Sequence, residues 1–505
     1  MQIEPQATAF AKRYARGEAQ VVWTTLVSDL ETPVSAFLKI ADGRPMSFLL
    51  ESVEGGAVRG RYSIIGLDPD LVWRTVADRA EINRTARNGR GAFTPCNEAP
   101  LSALRALVAE SRIELPDALP PMAAGIFGYL GYDMVRLMEE LPPPNPDPIG
   151  IPDAVLVRPT IVVVFDAVKD AITVVTPVRP ESGVGADTAF TRASERLAAI
   201  VDALDAPLAH SPPNIKPGPL TVWPSSNTAP AEYERMVNVA KEYIAAGDIF
   251  QVVLAQRFEA PFELPPFALY RALRRVNPAP FLYFLNFESF AIAGSSPEIL
   301  VRVREGTVTI RPLAGTRPRG ATPKQDKERD TEQLSNPKER AEHLMLLDLG
   351  RNDVGRVART ASVKVTDQFF VERFSQVMHI VSNVEGQLDA KYDALDALAA
   401  GFPAGTVSGA PKVRAMEIID ELEKDKRGLY AGAVGYFSAA GELDSCIVLR
   451  TALIKDGVMY VQAGAGIVAD SNPKSEQQEC VDKAKALFRA AEEAKRFASA
   501  ARRGQ

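Results

Sequence analysis

Apolar and polar positions alternate in short stretches along much of the chain, and longer stretches with helical spacing separate them. Before residue 207 the alternation predicts strands at Thr160–Phe165 and Ala171–Pro177, then a helix near Asp187–Leu204. After residue 230 a helix is expected over Ala231–Ala246 and a strand over Phe250–Phe258. Phe281–Asn286 and Phe290–Gly294 read as a hairpin, and Thr307–Arg311 continues its sheet. A helix over 337–350, a strand over Gln376–Val384 and a helix near Ala394–Leu398 follow. Three consecutive strands come next, at Ala431–Phe437, Cys446–Ile454 and Val458–Ala463, before a closing helix over 473–497. Runs of neighbouring strands joined by Gly turns imply antiparallel sheets with helices packed outside them. The fold class is therefore α+β rather than a doubly wound parallel sheet.

Prolines divide the chain. Pro207, Pro212, Pro213, Pro217, Pro219, Pro224 and Pro230 interrupt any regular element, so a Pro-rich linker over 207–230 separates a region at 20–206 from one at 231–497. Pro142, Pro143, Pro144, Pro146 and Pro148 mark a surface loop inside the first region. With 505 residues the chain can bury a large core. A net charge of −6 gives no basic field, so nucleic acid is not an expected partner. Cys96, Cys446 and Cys480 are far apart and odd in number, which suits a reducing compartment better than a disulfide framework. The start Met1-Gln2-Ile3-Glu4-Pro5 is no secretory leader, and no apolar run reaches the ~18 residues of a membrane span. A cytoplasmic protein without membrane contact is expected.

Two helix starts share one pattern. Asn336-Pro337-Lys338 leads into Glu339 and Glu342, and Asn472-Pro473-Lys474 leads into Glu476 and Glu479. Asn caps free backbone N–H groups and Pro fits the first turn, so each helix projects carboxylates i,i+3 from one face. Such pairs are either solvated faces or, if the helices oppose each other, an all-oxygen pocket suited to Mg²⁺.

Other residues carry weight beside that pattern. Arg450 ends an apolar stretch and needs an anion, from the protein or from a substrate. Glu298 follows an apolar strand, where burial raises a carboxyl pKa towards acid catalysis. His379 alternates with apolar neighbours, as either a core residue or a proton carrier. The stretch from Arg311 to Gly320 packs three arginines into one loop. Gly464-Ala465-Gly466 resembles a dinucleotide turn, but Asp470–Pro473 separates it from the helix, leaving only backbone that a ligand can approach. Together these describe a small dianionic substrate held by Arg450, by backbone N–H groups at Gly464 and Gly466, and by a glutamate-held Mg²⁺. Glu298 and His379 would supply the proton chemistry.

Read as motifs in order, the chain resembles the chorismate-utilising enzymes. The resemblance is dense over about 225–490: Gly247–Val252, Ser295–Glu298, Arg311–Gly320, Glu339–Asp353, Gln376–Gly386, Phe402–Lys412, Arg427–Gly435, Gln462–Gly466 and Pro473–Lys483. Leu49–Ser52, Gly60–Ser63 and Gly125–Tyr129 extend it into the first region. It implies two antiparallel sheets packed face to face with flanking helices. It implies Mg²⁺ ligation by Glu342 and Glu479, supported by Glu339 and Glu476. Substrate contacts fall on Gly315, Thr316, Tyr430, Arg450, Gly464, Ala465, Gly466 and Lys483, and catalytic positions on Glu298, His379, Thr406 and Gln251.

Two positions choose the branch. Relatives that attack covalently carry Lys where this chain has Ala314, and relatives that activate water carry Lys where it has Gln251. Neither alanine nor a glutamine amide does that work. The resemblance therefore points to the branch that adds ammonia and releases pyruvate to give anthranilate. Aminodeoxychorismate or isochorismate/salicylate formation is the alternative, and a purely regulatory partner the non-enzymatic one. No glutaminase motif is present, so a separate glutamine amidotransferase subunit is expected in a hetero-oligomer. The first region implies a feedback site for L-tryptophan at Glu51, Ser52, Pro280, Phe281 and Leu282.

Overall fold

Two long strands carry the architecture. The computed structural model describes residues 1–54, 58–86, 91–208, 224–320, 322–373 and 377–497. In it Val58–Val76 and Ala154–Asp166 pair antiparallel from Tyr62↔Asp166 to Thr75↔Ala154, with a bulge between Pro69 and Leu71. A bulge bends a strand and increases its twist, and on either side of this one the ribbon belongs to a different sheet.

On one side the order runs Gln20–Val27, Ala171–Val178, the ribbon, Ser47–Glu54, Phe281–Asn286, Phe290–Ser296, Thr451–Lys455, Val458–Ile467 and Gln251–Pro261. On the other it runs Thr94–Pro95, Arg79–Asn83, the ribbon, Gly125–Leu130, Ala433–Ser438, Leu443–Ile447, Ile299–Arg304, Thr307–Ile310 and Val377–Gln387. Leu313–Pro318 and Lys364–Arg373 also pair with Val377–Gln387. Every one of these pairings is antiparallel.

The sheets pack face to face. Trp23, Phe48, Ile64 and Tyr283 of the first meet Phe127, Tyr129, Val434 and Tyr436 of the second in one core, where the Phe48 and Phe127 rings stack at 4.7 Å. Outside the first sheet, a second core holds helices Ala186–Asp205, Pro230–Ala246, Pro266–Val276 and Pro473–Ala494. Outside the other, a third holds Pro100–Glu110, Pro337–Gly355 and Ala394–Gly401. Burial on both faces explains why the ribbon strand Ala154–Asp166 is apolar almost throughout. This is the α+β sandwich expected from the sequence.

Each sheet is built from strands on both sides of the Pro-rich segment. The joints are Ser47–Glu54 with Phe281–Asn286, and Gly125–Leu130 with Ala433–Ser438. The predicted linker falls largely outside the described residues, including Pro212, Pro213, Pro217, Pro219 and His210.

Three expectations change. Cys446–Ile454 is not one strand: Leu443–Ile447 pairs in one sheet and Thr451–Lys455 in the other, and the chain crosses between them with Arg450 at φ +48°. Gly464, Ala465 and Gly466 lie inside the strand Val458–Ile467 rather than in a turn, opposite Ala255, Leu254 and Val253. The predicted strand Gln376–Val384 is observed as Val377–Gln387, and Gln376 lies outside the described residues. Among the described residues no helix is long and apolar enough to cross a membrane.

Candidate active site

The strand pair Gln251–Pro261 and Val458–Ile467 forms one wall. Strand alternation turns Gly464 and Gly466 towards the site and Ala465 into the outer core. Ala465 therefore offers a substrate only its backbone. Both glycines are needed as such: a Cβ on Gly464 would stand 2.9 Å from the Tyr430 hydroxyl, and one on Gly466 would stand 2.5 Å from Gln251 Nε2. Gln251 is buried and its Oε1 accepts no hydrogen bond from the protein. Lys483 Nζ donates to the Gly464 carbonyl at 2.8 Å and pairs with Glu479 at 2.7 Å.

The opposite wall comes from the second sheet. His379 lies opposite Thr316 in the ladder and makes a hydrogen bond to the Gly315 backbone. Burial first, then the neighbouring charges of Arg450 and Lys483, hold its pKa down to about 3, so its imidazole is neutral. Gly315 sits at φ +60°, and a Cβ there would press on Gln333 Nε2 and Glu339 Oε2, each at 2.8 Å. Only glycine fits. The Thr316 side chain lies outside the described residues. Arg450 is half-buried at the crossing between the sheets, and desolvation there pulls its pKa down. Among the described residues no carboxylate pairs with its guanidinium.

Glu298 closes the site. It is 5% exposed, and burial pushes its pKa up to about 8 against two opposing contacts, from the Thr406 hydroxyl and the Leu313 N–H. Thr406 Oγ1 donates to the two carboxylate oxygens at 3.2 and 3.1 Å. Behind this pair lies a small pocket of about 20 Å³, which Asp353 also lines; Asp353 is bound to Lys412 at 3.0 Å.

The two Asn-Pro-Lys helices behave as predicted. Asn336 Oδ1 accepts from the N–H groups of Lys338 and Glu339, and Asn472 Oδ1 from those of Lys474 and Ser475. Their carboxylates do approach: burial raises the Glu342 pKa, and Glu479 and Glu339 add to the rise. Burial raises that of Glu476 too, again with a contribution from Glu479. Among the described residues, however, no three acidic, His or Cys side chains stand at metal-holding geometry. Glu339 is taken up by Arg317 at 2.6 Å, its Oε2 buried without a partner, and Glu479 by Lys483.

The sequence reading missed these partners. In the arginine-rich loop Arg311 pairs with Glu372, Arg317 with Glu339 and Arg319 with Asp326. Most of the expected loop is the strand Leu313–Pro318, and its arginines are stitched to their surroundings rather than bare. Gln333, which donates to the Gly315 carbonyl at 2.9 Å, carried no sequence signal at all.

A separate cavity of about 700 Å³ holds the residues expected to bind tryptophan: Glu51, Ser52, Pro280, Phe281 and Leu282 line it. Ser52 lies opposite Phe281 and Glu51 opposite Leu282. The Glu51 carboxylate is occupied by Arg274, at 2.7 and 2.9 Å, and by the Tyr270 hydroxyl. Of the catalytic set, Glu298 alone borders this cavity.

A family model described as chorismate binding enzyme matches residues 60–489, and the chain belongs to that family. Two curated relatives and one solved structure within it are similar to this chain over nearly its whole length. The chain is 56% identical over 499 residues to anthranilate synthase component 1 of Cereibacter sphaeroides, covering 98% of this chain and 99% of that one. Against the component 1 of Aquifex aeolicus the identity is 46%, with 93% and 94% covered. The crystal structure of anthranilate synthase component I from Streptococcus pneumoniae superposes with a TM-score of 0.73 at 37% identity, covering 92% of this chain and 99% of that one. The family resemblance and the fold expected from it are thus both borne out.

Proposed function

We propose that the chain is the large subunit of an anthranilate synthase, a lyase that converts chorismate and ammonia to anthranilate and pyruvate in tryptophan biosynthesis. The observation that carries this reading is the pairing of a protonated Glu298 with a site that holds no lysine at 251 or 314. With pKa pushed up to about 8, Glu298 holds its proton at neutral pH and can give it to the departing 4-hydroxyl. Ammonia needs no base to activate it, so the amide of Gln251 suffices where water would need an amine. Arg450, Lys483 and the backbone at Gly464 and Gly466 bind the carboxylates, and Thr406 holds Glu298 in place. His379 and Gly315 line the ring position, and neutral His379 can take up a ring proton.

The four helix-borne glutamates suit Mg²⁺. All are oxygen donors, they repel one another, and the buried Glu339 Oε2 lacks a partner. Glu342 and Glu479 would hold the ion, with Glu339 and Glu476 supporting, and it would neutralise the ring carboxylate. The Lys483–Glu479 pair is about half exposed on both sides, so releasing Glu479 costs little. The name component 1 on the relatives supports a component II, a glutamine amidotransferase that supplies ammonia within a cytoplasmic hetero-oligomer. The cavity at Ser52 and Phe281 supports feedback inhibition by L-tryptophan.

The deciding experiment incubates the chain with chorismate, Mg²⁺ and an ammonium salt and identifies the product. Anthranilate with pyruvate is expected. Isochorismate, salicylate or 4-amino-4-deoxychorismate overturns the assignment.

A further inference from the structure

Three separate segments of the site end on one side chain that touches none of its chemistry. Arg427 Nη1 donates to the Val407 carbonyl at 2.7 Å, and Nη2 donates to the Val253 carbonyl at 2.7 Å. Nε and Nη2 reach the Glu423 carboxylate at 2.9 and 2.5 Å. The same carboxylate accepts from the Ala255 N–H at 2.8 Å. The guanidinium lies over the rings of Tyr132 and Tyr430, at 4.8 and 5.4 Å from their centroids. Its side chain is 1% exposed and that of Glu423 is 4% exposed.

Stability alone is a poor reason for such a pair. Burying two charges costs desolvation that their attraction roughly returns, and apolar residues of similar volume are often as stable. What a guanidinium does and apolar groups cannot is fix several carbonyls at set angles in one plane. Here those carbonyls belong to the residue after Thr406 and to the strand that begins at Gln251, and the ring above belongs to Tyr430. A shift of about 1 Å in such segments is enough to cost roughly 10²-fold in rate.

We infer that Arg427, oriented by Glu423, is a positioning residue that sets the Thr406 hydroxyl against Glu298. The inference rests on the reading of Glu298 as the catalytic acid. It assigns Arg427 no contact with substrate; its effect passes through Thr406.

The test is a double-mutant cycle on the full chain. Lysine keeps the charge of Arg427 but loses the planar fork. Arg427→Lys should lower kcat roughly 10- to 100-fold, while the chorismate KM stays within about threefold because Arg450 and Lys483 do not touch Arg427. In a Thr406→Val background the same change should cost less than about threefold more, because the group it positions is already gone. Arg158→Lys is the control: that arginine pairs with Asp70 and Glu110 far from the site, and the change should lower the melting temperature without moving kcat. A kcat for Arg427→Lys within about twofold of wild type, or a loss that multiplies fully onto Thr406→Val, overturns the inference. If Arg427→Lys does not fold, Glu423→Gln takes its place: a smaller loss in kcat with the same non-additivity supports the inference, and unchanged kcat overturns it. A wild-type chain that makes a product other than anthranilate sinks the functional reading alone, and the cycle is then run on that product.

Discussion

At the Glu298 carboxyl, burial and hydrogen bonding pull in opposite directions and burial wins, leaving the pKa at about 8. If Glu298 is the acid, as proposed, its acid form is the working form, so kcat should hold level below that pH and fall as pH rises through it. Glu298→Gln keeps the shape and loses the proton; kcat should drop roughly 10²–10⁴-fold with little change in KM. A loss confined to KM would make Glu298 a binding group instead. His379 offers a second pH effect, on stability. Its folded pKa of about 3 lies below the unfolded value of about 6.5. Between those limits the unfolded chain takes up a proton that the folded chain refuses, so stability should fall on acidification from about pH 7 to about pH 5. His379→Gln should make that part of the denaturation-midpoint profile shallower, the remaining slope coming from buried His343 with its pKa held down to about 4, and an unaltered slope would mean that His379 titrates normally. Both residues were legible in the sequence because a lone polar group in an apolar strand stands out. The partners were not: Thr406 meets Glu298 across 108 residues of chain, and no local pattern encodes that approach.

The two Asn-Pro-Lys helices show what a short motif specifies and where it stops. Asn, Pro and the i,i+3 glutamates fixed each helix start and the carboxylate face, and the structure keeps both. That the faces oppose one another depends on strand pairing that periodicity cannot express. Replacing Glu479 or Glu342 by Gln removes one negative oxygen from a hard-cation site. Mg²⁺-dependent turnover should vanish while circular dichroism stays unchanged, and normal activity of Glu479→Gln at ordinary Mg²⁺ would remove these residues from the metal assignment. Elements whose apolar pattern faces one sheet, such as Ala186–Asp205, were read nearly to the residue. The stretch Cys446–Ile454 was misread because its residues stay apolar while the chain crosses from one sheet to the other. Apolar character runs on to Leu449 and resumes after Thr451 while direction changes, so the alternation carries no mark of the break at Arg450.

Across the whole molecule, the 700 Å³ cavity lies where a strand from each half of the chain meets, at Ser52 and Phe281. A ligand there touches both halves and borders Glu298, the proposed acid. L-tryptophan should inhibit the wild-type chain, with coupling of about 1–3 kcal/mol between the sites. Ser52→Phe fills part of the cavity and should relieve inhibition, leaving uninhibited turnover nearly unchanged. Indifference of the wild-type chain to millimolar tryptophan would remove the regulatory assignment. The ribbon of Val58–Val76 and Ala154–Asp166 has a wider consequence, because it makes covalent order and mechanical order different things. A protease site built into residues 209–223 and cut should give two polypeptides that still migrate as one active particle, since each sheet needs strands from both. Separated under denaturant, neither piece should regain a cooperative melting transition alone; mixed, they should. The molecule is divisible along its backbone and indivisible across its sheets, as a woven cloth survives the loss of a knot but not of its warp.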